Sequence, residues 1–151
     1  MATWADLESA APELAARGKT LLYRSGEGEA LLVTVRGDAP PQAHPIYVRV
    51  VESGLYAFIL ASPKLRDLVE DGRYALHAHF DPAHPNEFLV SGHVRKVDPE
   101  TRARLAADWG FSPGNADAFE FLIDEALYGE RPTADDWPPR YTTWKAPAAV
   151  G

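Results

Sequence analysis

Between residues 30 and 97 the chain is a series of short apolar segments, separated by turns and interrupted by one helix signal. Residues 30–35 form an unbroken apolar, β-branched run, which predicts a strand buried on both faces. Residues 42–51 alternate apolar and polar side chains, and residues 55–60 follow a short turn as the hairpin partner. Two further strands are predicted at residues 73–80 and 87–97. The order lacks the regular β–α alternation of a parallel sheet and favours an antiparallel barrel.

Helix signals occur before the strands and once among them. Thr3 is placed to cap a short first helix, and a second is predicted over residues 12–17, with Gly18 ending it. Ser62 is a favourable N-cap residue, and Pro63 suits the first helical position. The strand region therefore contains one internal helix.

The residues after the predicted strands are expected to be mostly helical. One helix is predicted from Asp98 to about Trp109, and another begins after Asn115. In the second, apolar residues recur at helical spacing: Phe119, Leu122, Ile123, Ala126 and Leu127. We therefore expect a single domain over residues 1–151, mainly β with peripheral helices. Its barrel core is predicted at about residues 20–98 plus 140–145, and its helical segment at about 99–129.

Composition excludes several function classes. The chain has no cysteine, which excludes a disulfide framework, a thiolate metal site and a cysteine nucleophile. Its net charge of −7, without a basic stripe, argues against nucleic acid as a partner. No apolar run approaches the roughly 18 residues of a membrane span, and the N-terminus lacks a signal-peptide pattern. We expect a cytoplasmic protein without membrane contact.

The segment from Ser62 to Arg66 is the strongest candidate site. A helix N-terminus has unpaired N–H groups and a partial positive charge, which suit a phosphate. Ser62 adds a hydroxyl, and Lys64 and Arg66 add full positive charges that are unfavourable in a first turn unless an anion is nearby. A capped surface helix with solvated cations fits the same residues. Spacing alone leaves the two interpretations open.

The histidines give a weaker signal. His77 and His79 point to the same face of one predicted strand, and His93 lies on the next. Imidazole suits zinc, iron or copper, but no third ligand is evident from the spacing. We predict no metal site, and packed or exposed histidines are the commoner outcome.

A set of short motifs, in this order, resembles the pyridoxamine 5′-phosphate oxidase-like family of FMN-binding split β-barrels. The motifs are Leu-Val-Thr-Val at residues 32–35, His-Pro-Ile at 44–46, Gly-Leu-Tyr at 54–56, Ser-Pro-Lys-x-x-Asp-Leu at 62–68, Asp-Gly-Arg at 71–73 and Ser-Gly-His at 91–93. The resemblance covers about residues 30–98. It implies a six-stranded, mostly antiparallel, Greek-key-like split barrel that binds FMN at a homodimer interface.

The resemblance also implies roles for individual residues. Ser62 and Lys64 correspond to positions that hold the flavin phosphate, and Arg49 lies near a position that reaches flavin or substrate. The strand backbone that follows the flavin ring and ribityl chain corresponds to His44, Pro45, Ile46 and Tyr47. Glu87 replaces a glutamine that approaches the flavin from the second subunit. No catalytic residue is identified, although Tyr47 and His44 are the nearest acid–base candidates.

The sequence departs from the true pyridoxamine phosphate oxidases at sites that matter for their substrate. His44 stands in place of an arginine, and the C-terminal Arg-x-His that grips pyridoxal phosphate is absent. The expected function is therefore a flavin-dependent oxidoreductase acting on another small molecule. Two alternatives stay open: a reductase using the deazaflavin F420, whose longer acidic tail calls for cations such as Arg66, and a haem-binding or non-catalytic member that uses His77, His79 or His93.

Overall fold

The computed structural model describes residues 1–110 and 112–148. Within them it has four helices, α1 (Trp4–Ala10), α2 (Pro12–Leu22), α3 (Pro63–Glu70) and α4 (Pro99–Trp109). The same residues form eight strands, β1 (Glu29–Thr34), β2 (Gln42–Tyr47), β3 (Arg49–Val51), β4 (Gly54–Ile59), β5 (Arg73–Ala78), β6 (Glu87–Lys96), β7 (Asp117–Glu130) and β8 (Arg140–Lys145). The strands make one sheet in the order β2-β1-β5-β6-β7-β4-β3, and β8 pairs with β7. All of these strand pairs are antiparallel.

The sheet closes on itself at Val48. Strands β2 and β3 lie at opposite ends of the sheet order, yet only Val48 separates them in the chain. Because successive Cα atoms are about 3.8 Å apart, the two ends of the sheet must meet there. The Val48 N–H donates to the Gly28 carbonyl at 2.9 Å. A Cβ at Gly28 would lie 2.1 Å from the Val48 carbonyl oxygen, so only glycine permits this closure.

Beyond Val48 the barrel wall opens. Among the described residues, β2 pairs with β1 alone, and β4 pairs with β3 and β7. No hydrogen-bonded ladder in this part of the chain joins β2 to β4. If β2 and β3 are counted as one bent strand, six strands form a barrel that is split along this line, and β8 extends it outside. The predicted mainly β split barrel with peripheral helices is confirmed.

The core fills the barrel interior and continues beneath the first two helices. Trp4 of α1 packs edge-on against Phe88 of β6, with ring centroids 6.0 Å apart. Gly18 brings α2 close to the same ring, since a Cβ there would lie 2.4 Å from a Phe88 ring carbon. The prediction that α2 ends at Gly18 is therefore wrong: this glycine allows close packing inside a helix that continues to Leu22.

The predicted helix after Asn115 is also wrong, because residues 117–130 form β7, the longest strand. The apolar residues of this segment match helical spacing, but they are flanked by further apolar residues such as Ala118 and Phe121. The first half of β7 is buried on both faces, and a continuous apolar run does not distinguish a buried strand from a helix. Pairing with β6 along ten residues, Glu87 to Lys96, decides the conformation.

The structure differs from the predicted organisation of the domain in three further respects. The helical segment expected over residues 99–129 is helical only in α4, and β7 supplies the sixth barrel strand. The strand at 140–145 exists as β8, and among the described residues it pairs with the second half of β7 alone. The strand at residues 30–35 buries one face rather than two in this chain: Leu32 is fully buried, whereas Leu31 is 37% exposed.

None of the helices in the described parts of the chain is both long and apolar enough to cross a membrane.

Candidate functional site

A cleft of about 520 Å³ lies where β2 and β4 separate. Its lining comes from β2, β4, the segment leading into α3, the end of α4 and the connection to β7: Pro45, Ile46, Tyr47, Phe58, Leu60, Lys64, Trp109, Ser112, Pro113 and Ala116. We call this the split cleft. It exists because β3 pairs only with residues 54–56 of β4, and within the described residues no strand pairs with the rest of that edge of β4 or with the free edge of β2.

The walls of the split cleft are mostly apolar and aromatic. The Trp109 ring packs edge-on against Phe58, with centroids 5.6 Å apart and planes at 67°. Tyr47 lines the opposite side and is 61% exposed. Walls of this kind suit a flat, largely apolar ligand, and the volume lies within the roughly 300–1,000 Å³ of small-molecule pockets.

Lys64 is the cationic side chain of the split cleft. It occupies the first turn of α3, and that first turn contains no acidic residue. Within the described residues Lys64 has no hydrogen bond or ion pair. A cation in a first turn is opposed by the helix dipole, so an anion beside Lys64 would relieve an unfavourable arrangement.

Ser62, predicted to bind the same phosphate, is used by the fold. Its hydroxyl accepts the Leu65 N–H at 3.3 Å and donates to the Leu60 carbonyl at 2.8 Å. The side chain therefore caps α3 and fixes the chain that enters it. Its contribution to the site is to place the helix N-terminus beside the cleft.

Arg49, predicted to reach the flavin or substrate, instead holds α4. Its Nη1 donates to the Asp108 carbonyl at 2.7 Å and to the Asp108 carboxylate at 3.1 Å. The guanidinium lies 5.1 Å from the centroid of the Trp109 ring. Arg49 thus supports the aromatic wall from behind and does not line the split cleft.

His44, on β2, lies opposite Leu32, whose side chain is in the core. Because paired residues of an antiparallel ladder share a face, His44 points to the inner side of the sheet. Its Nε2 is buried and has no hydrogen-bond partner in the described part of the chain. A buried polar atom without a partner is uncommon in proteins, and here it lies on the strand that borders the split.

The structure does not bring Arg66 or Glu87 to the split cleft. Arg66 is exposed, with its Nε 3.1 Å from the Glu70 carboxylate one turn along α3. Glu87 lies on β6, where its carboxylate is 3.8 Å from Nε2 of His77. Strands β1 and β5 separate it from β2 in the sheet order.

The histidines are dispersed rather than grouped. His93 contacts Asp124 at 3.2 Å. His77, on β5, lies opposite Leu89, which is four residues before His93 on β6. Nowhere in residues 1–110 and 112–148 do three histidine, aspartate or glutamate side chains come together as metal ligands would.

Sequence reasoning missed most of the far wall of the split cleft, formed by Leu60, Ser112, Pro113 and Ala116. The sequence pattern predicts Leu60 as the last residue of a strand, but β4 ends at Ile59 and Leu60 is exposed. The others precede β7, for which the sequence pattern predicts a helix, so their position next to β4 could not be inferred.

Comparison with known proteins supports the barrel through solved structures, whereas no family model and no curated protein matches the chain. One matching structure is a Clostridium acetobutylicum protein related to general stress protein 26 and assigned to the pyridoxinephosphate oxidase family, with a TM-score of 0.58 and 10% identity over 92% of this chain and 94% of that one. Another is a FAD-binding protein from Mesorhizobium loti, with a TM-score of 0.57 and 18% identity over 74% and 91%.

A heme binding protein from Mycobacterium smegmatis has the same fold, with a TM-score of 0.59 and 12% identity over 85% of this chain. The present chain spans 57% of that protein. The fold of this chain is therefore the split barrel of the pyridoxine phosphate oxidase-like proteins. That fold is found in proteins described as binding flavin and as binding haem, so the fold alone does not identify a cofactor for this chain.

Proposed function

We propose that the protein binds FMN in the split cleft and acts as a flavin-dependent oxidoreductase. The observation that carries this is Lys64: a cation without a partner in the described chain, at a helix N-terminus, at one end of an apolar cleft. FMN has the complementary layout, with a dianionic phosphate joined by a ribityl chain to a flat ring. The residues present fit that group.

Each part of the site would have a distinct task. Lys64 would bind the phosphate, aided by the N–H groups at the start of α3. The β2 backbone at Pro45, Ile46 and Tyr47 would lie along the ring and ribityl chain, and Trp109 would close the site against water. Bound FMN would supply hydride transfer, whereas the chain binds and orients. Tyr47 and His44, both on β2, are the candidates to hold or transfer a proton beside the bound flavin.

We further propose a homodimer formed through the outer face of the sheet beside the split cleft. The outward row across β2, β1, β5 and β6 is Pro45, Leu31, His77 and Leu89. Leu31 and the neighbouring Tyr47 are large apolar side chains left exposed in the single chain. A second copy on this face would cover them, and only from such a copy would Glu87 approach the cofactor. The measurement that checks this is the mass in solution.

The substrate is not a B6 vitamer in this proposal, because the pyridoxal phosphate-binding Arg-x-His is absent from the sequence. Of the alternatives, F420 would need cations for its acidic tail, and Arg66 is already paired with Glu70. Haem would need an axial histidine. His77 and His93 each lie beside a carboxylate, and His79 lies near Pro45 and Ile46 but does not line the split cleft. Neither arrangement favours these cofactors over FMN.

The test is a titration of the protein with FMN in which binding is measured by the change in flavin fluorescence. Replacing Lys64 with alanine removes a charge-assisted contact and is expected to weaken FMN binding by at least about tenfold. Lys145→Ala is the matched control, because it removes one exposed lysine at the end of β8 and should leave affinity unchanged. Unaltered affinity in Lys64→Ala would contradict the phosphate assignment. Uptake of F420 or haem in place of FMN would contradict the cofactor.

A further inference from the structure

Helix α3, which carries Lys64, is attached to the barrel in an unusual way. Its fully packed apolar residue is Leu68, and Leu65 is partly buried, while Val69 is 62% exposed. Two apolar contacts on an eight-residue helix constrain its rotation weakly. The remaining buried side chain of α3 is a carboxylate, Asp67, which is 3% exposed.

Asp67 is held by the barrel wall. The Thr34 hydroxyl, at the end of β1, donates to Oδ2 of Asp67 at 2.7 Å, and Thr34 is completely buried. Arg36 lies 4.0 Å from the other carboxylate oxygen and 3.7 Å from Glu70. A carboxylate is costly to bury unless it is paired and hydrogen-bonded, so this contact has a strongly preferred geometry.

The position of Lys64 on the helix gives this contact a consequence. Residues three and four positions apart lie on one face of a helix, so Asp67 and Leu68 both lie one turn after Lys64 on the same side. Viewed along the helix axis, Asp67 and Leu68 lie to either side of Lys64. Asp67 makes a polar contact with the barrel and Leu68 makes an apolar one. Fixing both therefore fixes the direction in which Lys64 leaves the helix.

We infer that Asp67 and Thr34 are positioning residues for Lys64: their buried hydrogen bond sets the rotation of α3, so that the ammonium group meets the ligand phosphate in the split cleft. The inference rests on the proposed FMN site. It concerns two residues that do not line the split cleft.

A positioning role and simple electrostatics predict opposite changes in FMN affinity when Asp67 is replaced by alanine. Removing a negative charge one turn from a phosphate-binding lysine should strengthen phosphate binding by Coulomb attraction alone. If Asp67 orients Lys64, Asp67→Ala should instead weaken FMN binding, by about tenfold. The direction of the change therefore separates the two roles.

The experiment compares FMN with riboflavin, which lacks the phosphate, in the same fluorescence titration. In Asp67→Ala, FMN binding should weaken about tenfold while riboflavin binding stays within about twofold. Asp67→Asn keeps an acceptor for the Thr34 hydroxyl and should restore FMN binding to within about threefold of the parent. Glu13→Gln is the control, since it removes an exposed carboxylate of α2 that has no ion pair among the described residues, and it should change neither affinity.

A double variant tests whether Asp67 acts through Lys64. With Lys64 already replaced by alanine, adding Asp67→Ala should cause no further loss of FMN affinity. If Asp67→Ala does not fold, Thr34→Ala removes the donor of the same bond and should give the same selective loss of FMN, with Thr34→Ser restoring it.

The outcomes separate this inference from the function on which it rests. A parent protein that binds no FMN overturns both. A parent that binds FMN and depends on Lys64, together with an Asp67→Ala variant that binds FMN equally or more tightly, overturns the positioning role alone. Equal losses for FMN and riboflavin also overturn it, because a general loss of structure would not distinguish the phosphate.

Discussion

The two sides of the barrel differ in how their backbone is used. Strands β6 and β7 are joined over ten residues of β6, and their inner faces hold Phe88, Val90 and Phe121 in the core. Strands β2 and β4 have no ladder between them in the described chain. The gap is lined by apolar surface and one lysine, and it borders a buried histidine nitrogen with no partner.

We expect stability to depend mainly on the β6–β7 side and ligand binding on the split side. On the β6–β7 side the backbone groups of the two strands pair with each other along the whole of β6. On the split side, within the described chain, β2 and β4 form no ladder, and Lys64 and His44 Nε2 lie beside the gap without hydrogen-bond partners. A ligand could supply those partners. We therefore expect changes on the two sides to act on separate measurable quantities.

The largest effect is expected from Phe88→Ala on the closed side. Phe88 is fully buried between Trp4 and Gly18, and truncating such a ring costs about 3–5 kcal/mol of unfolding free energy. Urea unfolding measures this loss. The FMN affinity of the molecules that remain folded should be unchanged. A parallel fall in affinity would show that the two sides are not separable.

A smaller effect, on both quantities, is expected from Gly28→Ala at the junction. The added methyl would overlap the Val48 carbonyl at the point of closure, and relief of such a clash costs about 1–3 kcal/mol. Because Val48 directly follows the cleft residues of β2, FMN binding should weaken together with stability. Loss of stability with intact binding would place the junction on the closed side alone.

The smallest effect is expected from Tyr74→Phe, again on the closed side. The Tyr74 hydroxyl donates to the Leu122 carbonyl at 2.9 Å, and losing that bond costs about 1 kcal/mol. Burial raises the pKa of Tyr74 well above its ordinary value, with the Asp124 carboxylate adding to the rise. A raised pKa means that its contribution is complete below pH about 10 and is lost as pH rises further.

The Tyr74→Phe variant should therefore lose stability less steeply than the parent above pH about 10. Thermal melts of both proteins across that range measure the difference. An identical alkaline dependence in the two proteins would contradict a role for Tyr74. FMN affinity at neutral pH should not change.

Most strands and the start of α3 could be predicted from the sequence because they depend on local chemistry. Alternation marks strands that bury one face, and Ser62 with Pro63 marks a helix start wherever the helix packs. Lys64 at that start is compatible with an anion site and with a solvated surface helix, and residue type and position alone do not choose between them. The resemblance of short motifs indicates the same barrel.

The features that could not be predicted depend on partners that are distant in the sequence. Residues 117–130 fit helical spacing, and pairing with the distant strands β4, β6 and β8 makes them a strand. The partner of Arg49 is Asp108, more than fifty residues away, so its support of Trp109 could not be predicted from spacing. Gly18 is typical of a helix end by residue type, and only its tertiary contact with Phe88 explains a glycine inside α2.

The central claim, that the split cleft holds FMN, is tested most directly by incubating the purified protein with FMN, removing free ligand by gel filtration and recording the absorbance spectrum. Denaturation and chromatography then identify what was retained. The account predicts a flavin spectrum, release of intact FMN, and loss of both in Lys64→Ala but not in Lys145→Ala. A colourless protein that retains no FMN under these conditions would contradict it.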